Sequence, residues 1–158
     1  MLATGTMAPG FSLYAGPDNL LNLEEYRGQK VILAFYPADW SPVCGSQMNL
    51  YNEMEEYFKQ FNAQLIGISV DSRWCHAAYG EQNGFYFPLL ADFEPKGAVS
   101  KRYEAYDETT GESRRALYVI DENGVIIWSY LSPIDVNPGA DGIIRVLEES
   151  ETIKTIEL

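Results

Sequence analysis

Phe35-Tyr36-Pro37-Ala38-Asp39-Trp40-Ser41-Pro42-Val43-Cys44 is the stretch on which the reading of this chain turns. The apolar run that leads into it, Val31 to Tyr36, includes β-branched residues and has the pattern of a strand buried on both faces. Pro37 ends that run. Ser41 and Pro42 follow, and then Cys44. From Ser46 to Phe61, apolar residues recur at three-to-four spacing (Met48, Tyr51, Met54, Tyr57 with Phe58, Phe61), which predicts an amphipathic helix. A thiol therefore stands where a buried strand hands over to a helix N-terminus. The unpaired N–H groups of a first turn and the positive end of the helix dipole favour a thiolate there over a thiol. Cys44 is the candidate nucleophile.

Toward the N-terminus, Met1 to Gly10 leads in and Phe11 to Tyr14 alternates as a short strand. Gly16-Pro17-Asp18-Asn19 is a turn, and Glu24 to Gly28 reads as a helical turn closed by glycine. Toward the C-terminus, Gln64 to Val70 is a second buried strand. Asp71-Ser72 caps a helix from Arg73 to Asn83, which Gly84 stops. Phe87 to Leu90 is a short extended piece. Asp92-Phe93-Glu94-Pro95 opens a helix that runs to about Tyr103, with the proline in its first turn. Glu108 to Glu112 reads as a loop. Ala116 to Ile120 and Val125 to Leu131 form a hairpin through Asp121-Glu122-Asn123-Gly124. After a Pro- and Gly-rich loop, Ser132 to Gly139, a helix spans Ala140 to Glu149, and residues 150–158 read as a loose tail. Strands that alternate with helices and close in a hairpin predict an α/β fold with a mixed sheet flanked by helices. No linker interrupts it, so 1–158 reads as a single domain.

The 158 residues are 46% hydrophobic and 22% charged, enough for one sizeable core. A formal net charge of −12 argues against nucleic acid or an anionic membrane as a partner, since both need basic patches. With no apolar run of about 18 residues and no signal-peptide pattern, the expectation is a cytoplasmic protein. Two cysteines, Cys44 and Cys75, are too few for a disulfide scaffold or a four-thiolate zinc site. The single histidine, His76, adjoins Cys75, and neighbours on a helix face different ways, so no metal site is expected. His76 reads as a helix-surface residue without a catalytic role.

Pro37-x-x-x-Ser41-x-x-Cys44 resembles the Pro-x-x-x-Thr/Ser-x-x-Cys motif of the peroxiredoxins, the thiol peroxidases of the AhpC/TSA family. Ala8-Pro9-Gly10-Phe11, Ser69-Val70-Asp71-Ser72, Phe87-Pro88-Leu89-Leu90-Ala91-Asp92 and Arg115-Ala116-Leu117-Tyr118-Val119-Ile120-Asp121 extend the resemblance over about residues 3–149. Its details are closest to the one-cysteine, AhpE-type branch. The resemblance implies a thioredoxin-like fold and a peroxidase of hydrogen peroxide and small organic hydroperoxides. It implies no metal, haem or flavin, because sulfur carries the redox chemistry. It implies a thioredoxin-like or small-thiol reductant and a homodimer or higher homo-oligomer.

Carried over, Cys44 is the peroxidatic thiol and Ser41 holds the thiolate or peroxide through its hydroxyl. Arg115 donates to both sulfur and substrate, and Pro37 shields the thiolate from water. Trp40 either lines the pocket or simply packs. The preference for Arg115 over Arg114 rests on the family pattern alone. Two positions depart from that pattern. Ser41 replaces the commoner threonine, which loses the methyl that restricts its rotamer. Gln47 stands where many members have glutamate, so it can accept from Arg115 only without ionic strengthening. Cys75 is either a resolving cysteine, paired with Cys44 within or between subunits, or a bystander to an external thiol. Two other functions compete. A thioredoxin-like disulfide reductase would want a Cys-x-x-Cys pair, and Gln47 fills the second position. A peroxide sensor or relay would use the same Cys44 chemistry.

Overall fold

The computed structural model describes residues 1–157. In chain order the elements are β1 (Ser12–Tyr14), β2 (Leu20–Asn22), a 3-10 turn (Leu23–Tyr26), β3 (Lys30–Phe35), α1 (Pro42–Glu53), α2 (Glu55–Gln60), β4 (Ala63–Ser69) and α3 (Arg73–Asn83). There follow β5 (Leu89–Ala91), α4 (Ala98–Arg102), β6 (Tyr106–Asp107), β7 (Glu112–Ser113), β8 (Ala116–Ile120), β9 (Ile126–Leu131) and α5 (Asp141–Glu157). Seven strands form one sheet in the order β2-β1-β5-β4-β3-β8-β9. β3, β4 and β5 run parallel, while β8 lies antiparallel to β3 and β1 antiparallel to β5. The expected mixed sheet flanked by helices is therefore the one found.

β3 is central, and all six of its residues are buried. Alternation along the strand divides them between two cores. Ile32 and Ala34, with Tyr36 beyond the strand end, pack with Met48, Tyr51, Phe58, Tyr79 and Leu147 on one face. Val31, Leu33 and Phe35 pack with Leu23, Val99 and Tyr103 on the other. Each such side chain contributes about 1.5–3 kcal/mol by leaving water. Phe35 pairs with Ala116. The end of β3 thus lies against the start of β8, so the loop into α1 passes beside Arg115.

Four expectations are corrected. The first helix starts at Pro42, not Ser46, because Ser41 takes the N-cap and Pro42 the first helical position, where a missing N–H is harmless. It also breaks at Met54, and α2 restarts at Glu55. The helix expected from Asp92 is only Ala98–Arg102. Asp92 does cap it, with its carboxylate accepting from the N–H groups of Val99 (3.1 Å) and Ser100 (2.8 Å), but across a turn that contains Pro95. Residues 150–157 are not a loose tail; α5 runs on to Glu157. Buried Lys30 holds it there, 2.9 Å from both Glu151 and Glu122, while Lys154 pairs with Glu122 at 2.7 Å. Burial opposes the charge on Glu122, but hydrogen bonds from Lys154 and Lys30 outweigh it and hold the carboxyl down at about 2. No helix among the described residues is long and apolar enough to cross a membrane.

Candidate active site

Cys44 is the third residue of α1 and is wholly buried. Arg115, one residue before β8 and 2% exposed, reaches it: Nη1 donates to Sγ at 3.3 Å. The same Nη1 donates to Gln47 Oε1 at 2.9 Å. Nε and Nη2 both donate to the carbonyl of Ile134, at 3.1 and 2.8 Å. The guanidinium is therefore fixed by a fork onto backbone, and losing a carboxylate at position 47 has not left it loose. Gln47 is fixed in turn. Its Nε2 donates to Tyr51 Oη at 3.2 Å, and that hydroxyl donates to Gly139 O at 2.9 Å. Burial pushes Tyr51 up to about 12, against the pull of Gln47 and Arg115, so it keeps the proton it donates.

The acceptors of Arg115 are a sulfur, an amide and a carbonyl. None is a carboxylate. A buried guanidinium needs an anion close by, and of its partners only the sulfur can become one. Arg114, its neighbour, is exposed. Pro37 is buried beside the loop, and Ser41 is half-buried at the N-cap without a side-chain capping hydrogen bond. Trp40 is 55% exposed, has φ of 71°, and packs edge-on against Tyr79 with centroids 4.9 Å apart.

Cys75 lies in the first turn of α3, where its N–H donates to the Ser72 cap at 3.1 Å. Both cysteines are free thiols, and Cys75 is the more accessible of the two. Its sulfur and carboxylate oxygens of Asp39 and Asp71 all lie within 4.8 Å of one another. Burial first, then the charges of Asp39 and Asp71, push the Cys75 thiol up from its ordinary value.

His76 is not on the helix surface. It is 3% exposed, with Nδ1 2.7 Å from Asp39 Oδ2 and Nε2 3.1 Å from the Leu90 carbonyl. Asp39 also accepts from Tyr36 Oη at 2.6 Å, and Asp71 accepts from the Asp39 N–H at 2.9 Å. This network ties the loop before α1 to α3 and β5. The helical spacing of His76 to Tyr79 was the sequence signal for a buried face.

The AhpC/TSA family model matches residues 4–129. Among curated relatives, alkyl hydroperoxide reductase E of Mycobacterium tuberculosis is 35% identical over 127 residues, 80% of this chain and 83% of that protein. Thioredoxin peroxidase of Echinococcus granulosus is 34% identical over 154 residues, 91% of this chain and 79% of that one. Among solved structures, AhpC of Enterococcus faecalis superposes with a TM-score of 0.88 at 25% identity, over 98% of this chain and 96% of that one. The reduced 2-Cys peroxiredoxin of Plasmodium vivax gives 0.87 at 27% identity, over 96% and 83%. The chain belongs to the AhpC/TSA family and is a peroxiredoxin with the thioredoxin-like fold. It is an enzyme of thiol-dependent peroxide reduction.

Proposed function

We propose that Cys44 is the peroxidatic thiol, that Arg115 activates it and that Cys75 resolves it. The observation that carries this is the 3.3 Å contact of Arg115 Nη1 with Cys44 Sγ inside a buried site. The Cys44 thiolate attacks one peroxide oxygen and the O–O bond breaks. The other oxygen leaves as hydroxide or alkoxide, and Arg115 stabilises the charge that moves onto it. Ser41 lends its hydroxyl to the peroxide, Gln47 keeps Arg115 aimed, and Pro37 and Trp40 bound the entrance. Substrates are hydrogen peroxide and small alkyl hydroperoxides.

The product is a sulfenic acid on Cys44. Cys75 faces Asp39, in the segment that leads into α1, so opening the first turn of α1 would carry Cys44 toward it. Bridged Cα atoms must come within about 7 Å. A thioredoxin-like dithiol then returns the disulfide to two thiols, or a small thiol does. We place the enzyme in the cytoplasm as a homodimer or higher homo-oligomer.

Mass spectrometry after one equivalent of hydrogen peroxide, on wild type and Cys75→Ser, tests this. A two-dalton loss and a Cys44–Cys75 peptide in wild type, replaced by a sulfenic adduct in the variant, is the expected result. A sulfenic adduct in both would leave Cys44 peroxidatic and remove Cys75 from the cycle. Reduced Cys44 in both would overturn the whole assignment.

A further inference from the structure

Tyr79 follows Cys75 by one turn of α3, so the two share a helix face. That face looks onto residues 39–45. Cys75 lies against Asp39, while Tyr79 packs on Trp40 and on Gly45, where an added Cβ would stand 3.7 Å from Tyr79 Oη. Tyr79 is 2% exposed, and its hydroxyl is a buried side-chain polar atom without a hydrogen-bond partner, the only such atom found among the described residues. It holds its proton, because burial, then Asp39, Cys44 and Asp71, push it up to about 12. Buried tyrosine hydroxyls ordinarily find a partner, so the exception calls for a reason.

A second unfavourable feature lies at the same place. Trp40 has φ of 71°, the left-handed region that bulky side chains avoid. Both features lie where α3 packs against the entry to α1. Opening the first turn of α1 breaks the 2.9 Å hydrogen bond from Gly45 N–H to Ser41 O. The freed groups need new partners, and Gly45 is the residue against which Tyr79 Oη lies.

We propose that Tyr79 is a positioning residue for disulfide closure, its hydroxyl unpaired in the reduced protein and paired to a backbone group released when the Pro42–Gly45 turn unwinds. This rests on Cys75 being the resolving thiol. In the step concerned, Cys75 sulfur bonds to Cys44 sulfur and the S–O bond of the sulfenic acid breaks. The thiol proton goes to the departing oxygen, which leaves as water. The peroxide consumed earlier is the oxidant, so no further reagent is required.

Tyr79→Phe keeps the ring and its contacts and deletes only the hydroxyl. Two readouts are taken with wild type and variant side by side. The first is the rate at which Cys44 sulfenic acid converts to the Cys44–Cys75 disulfide, by quench-flow and peptide mass spectrometry. The second is the melting temperature of the reduced protein. Closure is expected to slow about three- to tenfold, the effect of one hydrogen bond in the open turn. Sulfinic acid on Cys44 under excess peroxide rises with it, since the sulfenic acid waits longer. The melting temperature is expected to rise by about 2–4 °C, because an orphaned polar group is gone. A hydroxyl with a merely structural role would lower that temperature and leave closure alone. Closure at the wild-type rate or faster, or a lower melting temperature, overturns the proposal. No Cys44–Cys75 disulfide in wild type overturns the resolving role and this inference with it, a result distinct from a disulfide that forms equally fast in both proteins.

Discussion

The two thiols of this chain sit on neighbouring elements in electrical surroundings of opposite sign. Cys44 is wholly buried, with Arg115 donating to its sulfur and no carboxylate on that guanidinium. Cys75 is partly exposed, with Asp39 and Asp71 beside it. The helix N-terminus does not explain the contrast, because both cysteines occupy the first turn of a helix. A helix dipole is worth about 0.3–1 kcal/mol, up to ~2 when partly buried. A unit charge at about 4 Å weighs ~4 kcal/mol at an effective dielectric constant of 20. On the proposed assignment, side-chain charge rather than the helix terminus separates the thiol that attacks peroxide from the one that waits. A thiol that holds its proton competes poorly for peroxide, and it can still attack a sulfenic acid once the geometry allows.

The sharpest way to break the contrast is to remove the cation. Arg115→Met is expected to slow sulfenic acid formation on Cys44 by about 10²–10³, the scale of losing one preorganised donor, read by quench-flow mass spectrometry. A loss under tenfold would mean that the helix terminus carries the activation after all. A smaller change comes from adding an anion on the same side. Gln47→Glu gives Arg115 a carboxylate to share its charge with, so alkylation of Cys44 by iodoacetamide at pH 7 is expected to fall about three- to tenfold. If it speeds up instead, firmer placement of the arginine outweighs the sharing of its charge. The smallest effect belongs to Cys75. Asp71→Asn keeps an acceptor for its neighbours and deletes one charge. The native carboxylates hold the thiol proton to higher pH, so removing one brings the titration back down. Alkylation of Cys75 at pH 8 is then expected to rise about two- to fivefold, with the gain vanishing well above the ordinary thiol range near 8.5. An unchanged profile would leave burial and Asp39 as the causes of the raised thiol.

The parts of the molecule legible in the sequence were those coded locally. The run Val31 to Tyr36 is β3 within a residue at each end, because a central strand needs apolar residues on both faces. Ser72 and Gly84 mark the two ends of α3 as read, one by accepting from Cys75 N–H and the other by its left-handed backbone. Cys44, Gln47 and Arg115 were named from a motif and do come together. Distant partners were what a local reading missed. The C-terminal half of α5 is held by Lys30 and Glu122, far away in sequence. His76 is buried between the Asp39 carboxyl and the Leu90 carbonyl, 37 and 14 residues away, and nothing adjacent in sequence announces either. The orphaned hydroxyl of Tyr79 is a property of the packing of α3 on α1, and no residue type encodes it.

Arg115 donates two of its hydrogen bonds to the main-chain carbonyl of Ile134. Every amino acid carries that carbonyl, so no single codon change at 134 can delete it. The Ile134 side chain, 56% exposed, is thereby released from holding Arg115. Position 134 can therefore change its side chain while the arginine proposed to activate Cys44 keeps its anchor.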